Sequence, residues 1–217
     1  MNPVFESLFG TDNLEEYVSG VFSDELDKLG WREQVSSGWQ INAPRHRLFG
    51  RVRTLKLETI ETDDERIGMG LGFLASLSPG DVLVVEGSMD YAYFGELMTR
   101  LSVEIGLAGA VIDGLTRDTF YTQTASLPVF ARGYSPKDIK GRGRVQETDG
   151  EVNVDGRTLR TGDYVFGDSD ALVFVPEGVM GDLRPKVLEA IQDEATIKRR
   201  IAEGQSVAEI LRHHAAF

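Results

Sequence analysis

The sequence predicts an α/β fold organised on a central β-α-β unit, and three features carry that expectation. Two short apolar runs, Val82-Leu83-Val84-Val85 and Ala108-Gly109-Ala110-Val111-Ile112, are fenced by turn residues as buried strands are: Pro79-Gly80-Asp81 and Glu86-Gly87 around the first, Gly106 and Asp113-Gly114 around the second. Between them Leu97, Leu101 and Ile105 share one face of a helix that starts near Gly95 and stops at Gly106. From Pro128 onward the pattern turns to short strands, with Asp155-Gly156 as a two-residue hairpin signal.

Asn13 to Leu29 reads as helix in two pieces, with Ser23 placed to cap Asp24-Glu25-Leu26-Asp27-Lys28-Leu29 before Gly30 ends it. Leu48 to Leu57 mixes basic and apolar residues as a half-buried strand does. A helix is expected from Asp63 to Leu77, weakened by Gly68, Gly70 and Gly72. That triplet is spaced G-x-G-x-G with no strand directly before it, so it reads as close helix packing rather than a dinucleotide fingerprint. After the central unit come a strand at Pro128 to Arg132, a turn at Gly141-Arg142-Gly143, and a hairpin pairing Glu151 to Val154 with Arg157 to Arg160. A strand at Tyr164 to Gly167 and a buried strand at Ala171 to Val175, ended by Pro176, follow. Helices from about Arg184 to Ala202 and from Ser206 to His213 close the chain.

With 217 residues, 41% of them hydrophobic, the chain can bury one sizeable core and is short for two, so a single domain is expected. No cysteine is present, which excludes disulfides, thiolate zinc sites and a cysteine nucleophile. The first thirty residues carry Asp12, Glu15, Glu16, Asp24 and Glu25 where a presequence is basic, and no apolar run approaches the ~18 residues of a membrane span; the expected location is the cytoplasm, with no membrane partner. A net charge of −12, from 23 basic and 35 acidic residues, works against direct binding of nucleic acid. The basic runs Arg45-His46-Arg47 and Lys198-Arg199-Arg200 are local exceptions that read as solvated faces.

A β-α-β crossover makes its strands parallel, so the loop from Ser88 into Gly95-Glu96 and the loop from Leu115 to Asp118 both leave the carboxyl edge of the sheet, where open α/β sheets bind ligands. Backbone N–H groups at Gly95, Glu96, Leu97 and Met98 would be unpaired donors at a helix start, suited to a carboxylate. Arg117 offers a planar fork for a carboxylate partner, and Asp118 is a hard oxygen ligand fit for Mg²⁺ or Mn²⁺. Twenty residues separate Glu96 from Arg117, and the topology makes them neighbours. From the residues alone two readings stand: a site for a small anion and metal, or a structural Arg117-Asp118 pair beside a Glu96 that merely favours the helix dipole. His46, His213 and His214 are too scattered for a metal cluster, and no Ser-His-Asp arrangement can be argued.

The run Gly95-Glu96-Leu97-Met98 through Gly106-Leu107-Ala108-Gly109-Ala110-Val111-Ile112-Asp113-Gly114-Leu115-Thr116-Arg117-Asp118 resembles the signature of the RraA-like family, which includes 4-hydroxy-4-methyl-2-oxoglutarate/4-carboxy-4-hydroxy-2-oxoadipate aldolases. Pro79-Gly80-Asp81-Val82, Pro128-Val129-Phe130-Ala131-Arg132-Gly133 and Gly167-Asp168-Ser169-Asp170 through Pro176 are similar too, and the likeness runs from about Phe22 to Gly204. The resemblance implies a swivelling-type β/β/α sandwich over residues 1–217, assembled as a homotrimer or hexamer, with the helices at about 13–30 and 184–213 packed on it or on a neighbouring subunit. It also implies a D-x20-R-D site: Asp118 holds Mg²⁺ or Mn²⁺, Arg117 contacts the carboxylate and keto oxygen of a 2-oxo acid, and the first acid, here Glu96 rather than Asp, acts through metal-bound water. Thr119-Phe120-Tyr121 departs from the acidic residues that often follow the R-D pair.

The expected activity is that of a class II, metal-dependent lyase: retro-aldol cleavage of a 4-hydroxy-2-oxo acid to pyruvate, or oxaloacetate decarboxylation, with Gly95 to Met98 holding a carboxylate and Glu194 of a neighbouring subunit as a candidate acid. The alternative, from another branch of the same family, is a non-catalytic regulator that binds and inhibits a ribonuclease, for which an acidic surface suits a basic partner. Some members carry a methyltransferase name, but no glycine-rich S-adenosylmethionine loop follows a first strand here.

Overall fold

Successive residues of the run 82–85 face opposite sides of a sheet, as a strand's two-residue period requires: Val82 and Val84 pack into one core cluster, Leu83 and Val85 into another. The computed structural model of the chain describes residues 2–60 and 68–213. In chain order the strands are β1 (Val35–Ser36), β2 (Gln40–Ile41), β3 (Leu48–Thr59), β4 (Asp81–Glu86), β5 (Ala92–Phe94), β6 (Gly109–Thr116), β7 (Val129–Tyr134), β8 (Gly143–Thr148), β9 (Glu151–Val154), β10 (Arg157–Arg160), β11 (Tyr164–Gly167) and β12 (Leu172–Val175). The helices are α1 (Pro3–Phe9), α2 (Ser19–Lys28), α3 (Gly68–Leu74), α4 (Glu96–Ile105), α5 (Thr119–Thr122), α6 (Met180–Ala202) and α7 (Val207–His213).

One sheet runs β1-β12-β11-β3-β4-β6-β7-β2, with β5 added beside β6 and β8 beside β3. Strands β3, β4, β6 and β7 are mutually parallel, so the expected β-α-β unit of β4, α4 and β6 is present. Two groups of helices share one face of the sheet. Helices α1, α2 and α6 cover Phe49, Phe166, Val173 and Val175, while α3 and α4 cover Leu55, Leu83, Val85, Ala110 and Ile112. On the other face Val152, Val154 and Leu159 of the β9-β10 hairpin close over Val52, Val84, Val111 and Phe174. Hairpin, sheet and helices make the β/β/α layering. Each fully buried Leu, Val or Phe contributes roughly 1.5–3 kcal/mol.

The hairpin turns as its sequence demands, with Asp155 and Gly156 at φ 52° and 78°. Several boundaries differ from expectation. Ser23 caps nothing: it lies inside α2, whose first turn begins at Ser19 after Val18, and the first of the two expected helical pieces is a single 3₁₀ turn at Leu14–Glu16. Asp113-Gly114 does not close β6, because β5 continues the sheet past the end of β4 and pairs with Leu115 and Thr116. The last long helix begins at Met180, not Arg184, and carries Pro185 within it. Of the helix expected from Asp63, residues 63–67 lie outside the described residues; α3 is its remainder. No helix among the described residues is long and apolar enough to cross a membrane.

Candidate active site at the carboxyl edge of the sheet

β5 runs directly into Gly95 and α4, and β6 ends in Arg117 and Asp118, so the two loops meet where the parallel strands finish. The Arg117 N–H donates to the Phe94 carbonyl at 2.9 Å, which fixes the backbone of one loop against the other. Asp118 is held in the left-handed region at φ 60°, a conformation that costs a non-glycine residue about 1 kcal/mol or more and recurs at functional sites. That turn swings its carboxylate back over α4, where Oδ2 accepts the Glu96 N–H at 3.0 Å.

Close approach of two loops requires the glycine at position 95. Its backbone is extended, so conformational freedom is not the reason for glycine; a Cβ there would lie 2.4 Å from Asp118 Oδ2 and 2.9 Å from Arg117 Cγ. The absent side chain is what lets Arg117 and Asp118 close on the helix start. The donors are also fewer than expected, since Glu96 N–H is committed to Asp118, leaving Gly95, Leu97 and Met98 N–H at the first turn without a backbone acceptor among the described residues. The Met98 side chain packs against the core beneath, whereas Leu97 is exposed.

The structure brings Gly95, the Glu96 amide, Arg117 and Asp118 together as the spacing implies. The Glu96 carboxylate is placed otherwise: its Oε1 accepts from Arg100 Nε at 2.9 Å, and the Arg100 guanidinium lies 4.1 Å from the Tyr121 ring centroid. Arg117 sits between two carboxylates, with Nε 3.5 Å from Asp118 Oδ2 and Nη1 3.1 Å from Asp138 Oδ2. The sequence pattern singles out neither Arg100 nor Asp138. Arg100 was visible as the i+4 partner of Glu96 on one helix face, whereas nothing in the spacing of Asp138 points to Arg117.

Among the described residues no three His, Cys, Asp or Glu side chains gather as a ligand set. A hard divalent ion that keeps its waters needs only one or two carboxylates, and Asp118 meets that demand: Oδ2 is engaged by Glu96 and Arg117, and Oδ1 has no protein partner among the described residues. Below the helix start Tyr93 carries a buried hydroxyl with no partner among the described residues, and burial pushes its phenol above the ordinary value. Glu194 is remote within the chain; it pairs with Lys198 at 2.7 Å on α6, which packs on α1, α2 and α7. His214 lies outside the described residues.

Two adjoining cavities of about 430 and 390 Å³ lie elsewhere and share Glu15, Arg45, His46 and Arg47. The second is bounded by Gly80, Gly106 and Pro128, at the amino edge of the same strands. The carboxyl edge is instead an open face rimmed by apolar side chains: Leu97 is 73% exposed, Leu101 45% and Phe120 95%.

A polar constellation where parallel strands end is the ligand-binding arrangement of open α/β proteins, and that is the class this fold defines. Within it, the chain belongs to the RraA-like family, described as Aldolase/RraA, which matches residues 20–174. A protein of Thermus thermophilus named 4-hydroxy-4-methyl-2-oxoglutarate aldolase is 32% identical over 139 residues, 63% of this chain and 80% of its own length. The crystal structure of Streptomyces coelicolor RraAS2, described as an unusual member of the RNase ES inhibitor RraA protein family, superposes with a TM-score of 0.78 at 26% identity, covering 89% of this chain and 98% of that one. The chain spans less than two thirds of the length of some curated relatives: 60% of one from Halalkalibacterium halodurans, and 31% of Protein DlpA from Legionella pneumophila.

Proposed function

We propose that this chain is a divalent-metal-dependent lyase that cleaves a carbon-carbon bond of a 2-oxo acid, either by retro-aldol cleavage of a 4-hydroxy-2-oxo acid to pyruvate or by decarboxylation of oxaloacetate. The observation that carries the reading is the approach of Arg117 and Asp118 to the start of α4 through the gap left by Gly95. Asp118 would hold Mg²⁺ or Mn²⁺ through its unengaged oxygen, and such an ion supplies Lewis acidity toward the 2-oxo group. Arg117 presents positive charge where an enolate oxygen develops, an interaction stronger in the transition state than in the ground state. Gly95, Leu97 and Met98 N–H, at the positive end of the α4 dipole, receive a carboxylate, the Glu96 N–H being committed to Asp118. Glu96 serves as the proton-holding group through a water, after release from Arg100; an exposed i,i+4 pair is worth only ~0.3–0.5 kcal/mol, so that release is a small barrier.

The open edge with exposed Leu97, Leu101 and Phe120 supports a homo-oligomer, a trimer or a hexamer, in which a neighbouring copy walls the site and Glu194 is the candidate acid it brings. The test is pyruvate release from oxaloacetate and from 4-hydroxy-2-oxo acids, with Mg²⁺ and with EDTA, alongside light scattering. Metal-dependent turnover by an oligomer is the expected result. A chain inert toward every 2-oxo acid that instead inhibits a ribonuclease would replace this reading with the regulatory one, which the likeness to RraAS2 keeps in view.

A further inference from the structure

A guanidinium that stabilises a developing oxyanion must be held still, because misplacement by about 1 Å can cost ~100-fold in rate. The Arg117 backbone is fixed by its bond to Phe94, but the long side chain is only half-buried and needs an external restraint. Asp118 faces Nε at 3.5 Å, beyond an ordinary hydrogen bond. The shorter contact comes from the segment after β7, where Asp138 Oδ2 meets Nη1 at 3.1 Å.

Asp138 is itself anchored on several sides. Residue 138 bridges to Ala92 of β5, the Ala92 N–H donates to the Lys137 carbonyl at 2.8 Å, and the Asp138 carbonyl accepts Arg142 Nη1 at 3.0 Å. Its other carboxylate oxygen, Oδ1, faces the Lys140 N–H at 3.4 Å. One oxygen is thus turned to its own loop and one to Arg117, and the loop is pinned to the strand that launches Gly95. With Nε facing Asp118 and Nη1 facing Asp138, Nη2 is the nitrogen without a protein partner among the described residues, and so the one open to a ligand.

We propose that Asp138 is a positioning residue for Arg117, aligning the guanidinium so that Nη2 meets the 2-oxo acid. The inference rests on the lyase reading for its kinetic effect and on geometry alone for the alignment. The test uses the full-length protein with Mg²⁺ and oxaloacetate, comparing the parent with Asp138→Ala and Asp138→Asn. Misalignment weakens an interaction made in the transition state, so Asp138→Ala lowers kcat by up to about 100-fold while KM moves by only a few-fold and Tm stays near the parent's. Asp138→Asn retains an acceptor oxygen and falls between the two, and it carries the test if the alanine variant does not fold. In ¹⁵N-labelled protein the Arg117 Nε–Hε signal, assigned through Arg117→Lys, shifts or broadens in both variants.

Unchanged kcat in both variants of an active parent overturns the proposal, as does a loss confined to KM. If the parent itself turns over neither oxaloacetate nor any 4-hydroxy-2-oxo acid, the lyase reading fails, and the Arg117 signal then decides the matter alone. A signal identical in parent and variants overturns the alignment; a displaced one upholds it.

Discussion

The two ends of the sheet are built for different purposes. At the β11-β12 end, Phe5, Phe9, Tyr17, Phe22, Phe49 and Phe166 form a continuous aromatic cluster, with Phe22 stacked on Phe166 at 4.6 Å between centroids and fully buried. At the carboxyl edge of β4 and β6, Arg117, Asp118 and Asp138 meet as half-exposed charges with the Glu96–Arg100 pair beside them on α4, and such pairs contribute little to stability. Stability should therefore be lost at one end without loss of chemistry, and chemistry at the other with little loss of stability.

The largest effect expected is at the aromatic end. Phe22→Ala removes a stacked, buried ring and costs about 3–5 kcal/mol, or a Tm fall of roughly 6–20 °C, while turnover per folded molecule at low temperature is retained. Calorimetry and kinetics on one preparation check this, and a variant that melts normally but is inactive breaks the comparison. Next is Arg117→Lys, which keeps the charge but not the planar fork held between Asp118 and Asp138; a loss of about 100-fold in kcat with Tm unchanged is expected. A lysine variant as fast as the parent makes Arg117 structural.

Glu96→Gln should lower Mg²⁺-dependent oxaloacetate turnover by about 10- to 100-fold, and Glu96→Asp should retain activity. The structure sharpens the opposing outcome, because Glu96 is paired to Arg100: if that pair is its whole role, Gln costs only ~0.3–0.5 kcal/mol and turnover survives. The smallest effect concerns Asp149, whose carboxyl Arg53 holds below the ordinary value of 3.8 by a hydrogen bond. A depressed carboxylate stabilises the fold above its unfolded pKa, and that contribution is lost as pH falls through the folded one. Asp149→Asn should therefore melt slightly below the parent at neutral pH, by less than ~1 kcal/mol, with the gap closing below about pH 4. Melting curves of both proteins across pH 2 to 7 show whether it does.

What the sequence reveals and what it hides divide along the same line. The β4-α4-β6 unit, the Asp155-Gly156 hairpin and β12 are legible because each is encoded in adjacent residues: an apolar run, a four-residue recurrence, a turn that needs positive φ; the recurrence marks α4 as a helix but not its buried side, since Leu97 and Leu101 are exposed and Met98 and Ile105 face the core. Helix α1 and strand β5, at seven and three residues, are too short to show a period. Strand β8 is recognisable only through its pairing with the far end of β3. At the site, Arg117, Asp118 and the start of α4 were readable, and so was their meeting, because the crossover dictates it. The direction of the Glu96 side chain and the arrival of Asp138 were not, since both depend on which groups compete for a guanidinium once the loops are in place.

Helix α4 has no side-chain cap from its own neighbours, as Gly95 supplies none; its first free amide is satisfied by Asp118, twenty-two residues further along the chain. A cap borrowed across that distance cannot act until β6 has docked beside β5, so the first turn of α4 gains nothing from it in the early, locally ordered chain. The expected consequence is that this cap forms late in folding. Asp118→Asn should accordingly leave the refolding rate nearly unchanged and carry its stability cost in faster unfolding, which stopped-flow refolding and unfolding traces of the two proteins would separate.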